Sequence, residues 1–207
     1  MTQRKIIDVS TYNGTIDWKK VKKYGCDGAI IKIIRKDLGK DKKFEENYKK
    51  CEKLGIPWGV YNYTYATTTA KAKSDMKLVC DILDKVSKKH FKYGVWFDIE
   101  DKVQARLSKA KIAEIINAAQ TVVESRGYKF GVYTGMSYFS EHIDKNKVNC
   151  KTGGLHVITK AITAWRLRQR RTNLTSLQAC LTSWHGSIPA LACFRPRFQP
   201  ATAASLI

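Results

Sequence analysis

The sequence predicts an α/β fold, an irregular TIM-like (β/α) barrel with five recognisable β/α units. Three observations carry this prediction. Five short, almost wholly apolar segments recur between Lys5 and Tyr133, and stretches with helical spacing separate them. Such continuous apolar runs mark parallel strands covered on both faces. The polar exceptions gather at the C-terminal ends of those segments, which is where a barrel carries its chemistry. An open doubly wound sheet would also accept the strand pattern. However, no G-x-G-x-x-G follows the first strand and no Walker-type loop is present, so a nucleotide-binding open sheet loses support.

The elements follow in order. Lys5-Ile6-Ile7-Asp8-Val9 reads as the first strand, and Asn13-Gly14 marks a turn after it. Asp17 is placed to cap a helix running to about Tyr24. Gly28 to Ile34 is the second strand. Phe44 to Leu54 has helical spacing and meets Gly55, a C-terminal stop. Pro57 to Tyr63 is the third strand, and a long helix is expected from about Thr69 to Ser87. The fourth strand is read as Tyr93 to Glu100. Ser108 opens a helix with Ile112, Ile115, Ile116 and Ala119 on one face, ending near Gly127. Lys129 to Tyr133 is the fifth strand.

The 207 residues are 43% hydrophobic, enough for a sizeable core. No apolar run reaches the length of a membrane span, so no transmembrane segment is expected. The N-terminus Met1-Thr2-Gln3-Arg4-Lys5 is too short and polar for a secretory signal. The formal charge of +20 favours polyanions. Because the lysines spread over many helices rather than one stripe, nucleic acid is not expected as a partner. The six cysteines, Cys26, Cys51, Cys80, Cys150, Cys180 and Cys193, form neither C-x-x-C pairs nor Cys/His clusters with zinc spacing. Free thiols are expected, with no metal and no cofactor.

Asp98 and Glu100 lie two apart on a strand, so both side chains share a face, with Cβ atoms roughly 6.6 Å apart at about 3.3 Å rise per residue. Asp8, on the first strand, would face the same barrel mouth. That spacing suits two carboxylates working on one glycosidic bond. Such work needs one carboxyl of a pair kept protonated, which burial and a nearby like charge achieve. Metal binding by the three carboxylates is the chemical rival, and Lys32, a cation in the same mouth, counts against it. Tyr63, Tyr65 and Tyr133 stand near the mouth and would stack on sugar rings, whereas Tyr61, Trp96 and Trp18 read as core.

Six motifs in order carry a resemblance: Ile7-Asp8-Val9-Ser10, Asn13-Gly14-Thr15-Ile16-Asp17-Trp18, Ala29-Ile30-Ile31-Lys32, Gly59-Val60-Tyr61-Asn62-Tyr63, Val95 to Asp101, and Gly131-Val132-Tyr133-Thr134-Gly135. Over residues 5 to about 140 the chain resembles the family 25 glycoside hydrolases, the Chalaropsis-type lysozymes (N-acetylmuramidases). The resemblance implies five β/α units followed by strands with few helices. It implies hydrolysis of the β-1,4 bond between N-acetylmuramic acid and N-acetylglucosamine in peptidoglycan. Glu100 would be the proton donor, Asp98 its carboxylate partner and Asp8 the acidic residue of strand one. Tyr63, Tyr65, Tyr133 and Lys32 are the candidate substrate contacts. Peptidoglycan is the expected partner, the chain is expected to be a monomer, and its site of action would be extracellular or the cell wall. With no signal read in this chain, the export route stays open between phage-type release, cytoplasmic synthesis and a segment missing from this chain. The alternatives are a truncated inactive relative that only binds cell-wall glycan, and a basic nucleic-acid-binding protein.

The chain changes character near residue 152. All 18 acidic residues lie between Asp8 and Asp144. Residues 1–152 hold 27 Lys and 4 Arg, while residues 153–207 hold 1 Lys and 6 Arg. The Trp-Gln-Tyr strand and the final Val-Asp-x-Asn segment that the resemblance implies do not occur after residue 150. We therefore divide the chain into an incomplete catalytic domain, 1–152, and a basic, acid-free tail, 153–207, that is frameshifted, foreign or disordered. A genuine basic C-terminal module is the alternative. Sequencing the coding DNA checks this: restoring the frame near residue 152 should yield an acidic ending with Trp-Gln-Tyr and Val-Asp motifs, and an intact frame shared with close relatives would contradict it.

Overall fold

The computed structural model describes residues 4–149, 157–159, 179–180 and 191–194. Most of the acid-free tail therefore lies outside the described residues, as do Cys150 and the expectation of a frameshifted, foreign or disordered segment. Strands β1 (Arg4–Val9), β2 (Gly28–Lys32), β3 (Trp58–Tyr63), β4 (Phe91–Asp98) and β5 (Phe130–Thr134) pair in sequence order, all parallel. Helices α1 (Trp18–Lys23), α2 (Phe44–Leu54), α3 (Thr69–Leu83) and α4 (Lys109–Ser125) connect them, and α5 (Met136–His142) follows β5. Three short strands complete the sheet: β6 (Val157–Thr159) parallel to β5, β8 (Leu191–Phe194) parallel to β1, and β7 (Ala179–Cys180) antiparallel to β8. Strands β1 to β5 curl into a half-barrel. Among the described residues no pairing joins β6 to β7, so the barrel is not closed.

Alternation along the strands sorts side chains into two layers. Ile7, Val9, Ala29, Ile31, Trp58, Val60, Val95, Phe97 and Val132 face outward into one large core built with the helices. Ile6, Ile30, Tyr61, Trp96 and Tyr133 form a separate inner cluster. Tyr61, Trp96 and Trp18 are thus buried core residues. Gly131 makes room for the inner layer: a Cβ there would sit 2.6 Å from the Trp96 ring, well inside van der Waals contact, so a larger residue on β5 would displace the indole.

Local chemistry sets most boundaries. Asp17 accepts from the Lys20 N–H at the start of α1, Thr68 from Lys71 before α3, and Ser108 from Lys111 before α4. Gly55 ends α2 in the left-handed conformation (φ 65°) that glycine adopts without strain. Three expectations shift. Helix α3 stops at Leu83 rather than Ser87, because Lys85 and Val86 turn back onto Ile82 and Leu83 through i→i+3 bonds. Strand β2 stops at Lys32: Ile33 accepts from Asp41, and the chain doubles back through an Ile34–Lys40 bridge. Helix α5 has no counterpart in the sequence reading; seven residues are too few to show a helical period.

At the base of the barrel Glu52, near the end of α2, joins three elements. Its carboxylate accepts from Trp58 Nε1 at 2.8 Å and from the His90 N–H at 2.9 Å, and lies 3.0 Å from His90 Nδ1. Burial works to raise the Glu52 pKa, but these hydrogen bonds and the His90 charge outweigh it and hold the carboxyl below its ordinary value of 4.5. A carboxylate depressed in the folded state stabilises the fold above its unfolded pKa, and that contribution is lost as pH falls through the folded value. Acid titration of stability should therefore be shallower below pH 4.5 in Glu52→Gln than in the parent chain. Parallel acid limbs in urea unfolding series would contradict the assignment.

Candidate active site

The inner face of the half-barrel changes from apolar to polar towards the C-terminal strand ends. Above Ile6 on β1 sits Asp8, above Ile30 on β2 sits Lys32, above Tyr61 on β3 sits Tyr63, and above Trp96 on β4 sits Asp98. Register fixes the levels: Tyr63, Asp98 and Tyr133 are direct partners across β3, β4 and β5. Asp98 has no exposed surface and Asp8 is 5% exposed. Both carboxylates therefore stand where water is scarce and charge interactions are strong.

Glu100 departs from its expected position on strand four. The β4 ladder ends at Asp98, and Glu100 stands two residues beyond it, half-buried. One further bond, from the Ile99 N–H to the Tyr133 carbonyl at 2.9 Å, carries the strand geometry past its end. Ile99 is buried in the outer core, which leaves Asp98 and Glu100 to the inner side. A Cβ at Gly135 would meet Glu100 Oε2 at 3.7 Å, which places this carboxylate beside the start of α5.

The remaining candidates divide. Tyr63 donates to Asp101 Oδ2 at 3.0 Å, and its ring lies 5.2 Å from that of Tyr65. Lys32 Nζ is 5.9 Å from the ring centroids of both Tyr63 and Tyr12, and Lys36 Nζ is 4.7 Å from that of Tyr65, distances at which a ring face attracts a cation. These groups form a continuous aromatic and cationic wall from the end of β1 to the loop after β3. Tyr133 is different. It is 3% exposed, and its hydroxyl donates to Asp8 Oδ2 at 3.4 Å, so its ring belongs to the inner cluster and its polar end braces Asp8.

The field of the carboxylates is felt by the phenols around them. Burial raises the Tyr63 pKa, and donation to Asp101 with the charges of Asp101, Asp98 and Glu100 raises it further. Tyr138 on α5 is pushed up to about 12 by burial, then by Asp101 and Glu100. Tyr65 rises by burial, then through Asp101, Tyr12 and Asp98. All three remain protonated hydrogen-bond donors at neutral pH. The sequence reading missed Tyr12, Tyr138 and the bracing role of Asp101; none has a spacing signal, since each enters from a loop or a short helix.

Among the described residues no three His, Cys, Asp or Glu side chains are grouped to hold a metal ion. No described helix is long and apolar enough to cross a membrane. Cys26, Cys51 and Cys80 are free thiols; burial raises all three, Cys80 to about 11.

The family model of glycosyl hydrolases family 25 matches residues 7–157. The chain belongs to this family. Among individual relatives, it is 39% identical over 57 residues to Lysozyme M1 of Streptomyces globisporus, covering 28% of this chain and 19% of that protein. Among solved structures, the modular autolysin LytC of Streptococcus pneumoniae superimposes with a TM-score of 0.60 at 31% identity, over 67% of this chain and 34% of LytC. The bacterial lysozyme of Streptomyces coelicolor does so with a TM-score of 0.55 at 25% identity, over 68% of this chain and 66% of that one. The chain thus spans about a fifth of the length of Lysozyme M1 and a third of that of LytC.

Proposed function

We propose that this family 25 chain is a lysozyme that hydrolyses the β-1,4 bond between N-acetylmuramic acid and N-acetylglucosamine in peptidoglycan. What supports the reading is that Asp8 and Asp98 lie at the C-terminal ends of β1 and β4 and that Glu100 follows two residues beyond β4. Supporting it, one solved structure of LytC holds a synthetic peptidoglycan ligand, and two of the relatives are lysozymes by name.

Glu100, the most exposed of the three carboxyls, gives its proton to the leaving glycosidic oxygen. Asp98, fully buried below it, is its carboxylate partner and stabilises positive charge as it develops on the sugar ring. Asp8, braced by Tyr133, adds to that negative field. Tyr63 and Tyr65 offer ring faces to the glycan, and Lys32 bonds its polar substituents. The chain acts at the cell wall.

A second reading, glycan binding without turnover, is favoured by one observation: the chain has no Asp or Glu after Asp144, while the family resemblance calls for one more acidic residue in the closing strands.

Clearing of a purified peptidoglycan suspension tests both. Under the lysozyme reading Glu100→Gln loses about 10²- to 10⁴-fold in rate, the usual contribution of a general acid, with its melting temperature retained. Full clearing by Glu100→Gln removes Glu100 from the acid role. Sedimentation with peptidoglycan but no clearing by the parent chain supports the second reading.

A further inference from the structure

Glu100 lies beyond the sheet ladder, so the sheet alone does not fix it. Two sets of bonds hold the backbone on either side of it. On the N-terminal side the Ile99 N–H donates to the Tyr133 carbonyl at 2.9 Å, and the Ile99 carbonyl accepts from Thr134 Oγ1 at 2.7 Å. On the C-terminal side the Asp101 N–H donates to Gln104 Oε1 at 3.2 Å.

Gln104 has no exposed surface. Its Nε2 donates to the Thr64 carbonyl at 2.9 Å and to the Ala66 carbonyl at 3.3 Å, both in the segment leaving β3. The Thr64 N–H in turn donates to the Asp98 carbonyl at 2.8 Å. The Asp101 carboxylate completes the clasp, taking the Tyr63 hydroxyl on Oδ2 and the Val103 N–H on Oδ1, each at 3.0 Å. One buried amide therefore ties the loop after β4 to the loop after β3, forty residues earlier in the chain. A buried glutamine gives up water and rotamer freedom. An apolar residue would fill the same space without the cost of desolvating an amide, but it could not bond both loops at once.

We propose that Gln104 is a positioning residue for Glu100: by clamping Asp101 to Thr64 and Ala66 it holds the Glu100 carboxyl at a fixed height above Asp98. This rests on Glu100 being the proton donor. The competing account is a loop staple that contributes stability and leaves turnover of the folded molecule unchanged.

Gln104→Leu and Gln104→Glu in the full chain separate the two, with kcat and KM measured on soluble peptidoglycan fragments and melting followed in parallel. Gln104→Leu, folded at the assay temperature, should lose about 10- to 100-fold in kcat, the scale set by displacing a reacting group by an ångström, with KM within about twofold. In Gln104→Glu the introduced carboxyl still accepts from Asp101. It has one O–H to donate, to the Thr64 or the Ala66 carbonyl, and only while protonated. Its kcat relative to the parent should therefore fall as pH rises through the titration of that carboxyl and recover on acidification. An unchanged kcat in folded Gln104→Leu, or a pH profile of Gln104→Glu parallel to the parent's, overturns the proposal. If Gln104→Leu does not fold, the Gln104→Glu profile decides alone. Glu100→Gln is run alongside. Its inactivity together with unaffected Gln104 variants sinks only the positioning role, whereas an active Glu100→Gln sinks the assignment of Glu100 on which that role rests.

Discussion

The structure depends on a single geometric constraint, the alternation of side chains along parallel strands buried on both faces. Odd and even positions are assigned to different solvents: one set packs against helices, the other meets its counterparts inside the barrel. The inner set is small, Ile6, Ile30, Tyr61, Trp96 and Tyr133, and forms a floor. Two residues further along β1 to β4 the same face carries Asp8, Lys32, Tyr63 and Asp98, and Tyr133 on β5 pairs in register with Asp98. Asp8 and Asp98 occupy those positions almost without exposure to water, whereas Lys32 and Tyr63 are half-buried. Fold and site are consequences of one pattern, and a register slip of one residue in β4 would send Asp98 into the helix-packed core.

Much of this was legible from residues alone. The helix starts at Asp17 and Ser108 and the stop at Gly55 follow from groups that act within a turn of the chain, and local chemistry is what a sequence displays directly. The placement of Asp8 and Asp98 was legible because period-two alternation carries a face along a strand. What stayed hidden depends on contacts between distant segments. Tyr133 reads as a mouth residue by position, yet its hydroxyl turns inward to Asp8. Gln104 looks like an ordinary loop glutamine, and only the approach of Thr64 and Ala66 gives its amide a task. The end of β2 at Lys32 depends on the return of Lys40 and Asp41, which no local pattern announces.

The mouth balances opposite requirements. Three acidic groups on the inner face, with Asp101 beside them, repel one another and would favour protonation or a bound cation. Lys32 supplies positive charge within the same wall, and Tyr63 and Tyr133 donate to carboxylates directly. On the lysozyme reading proposed above, the carboxylates would act on the positive charge that builds on a sugar ring as its glycosidic bond breaks.

The central claim is that these inner-face carboxylates cut the glycan strand on one particular side of the muramic acid residue. Mass spectrometry of the fragments released from purified peptidoglycan, after borohydride reduction of their new ends, tests it most directly. The account predicts N-acetylmuramic acid at every new reducing end. N-acetylglucosamine at those ends, or release of peptides with the glycan intact, would contradict it.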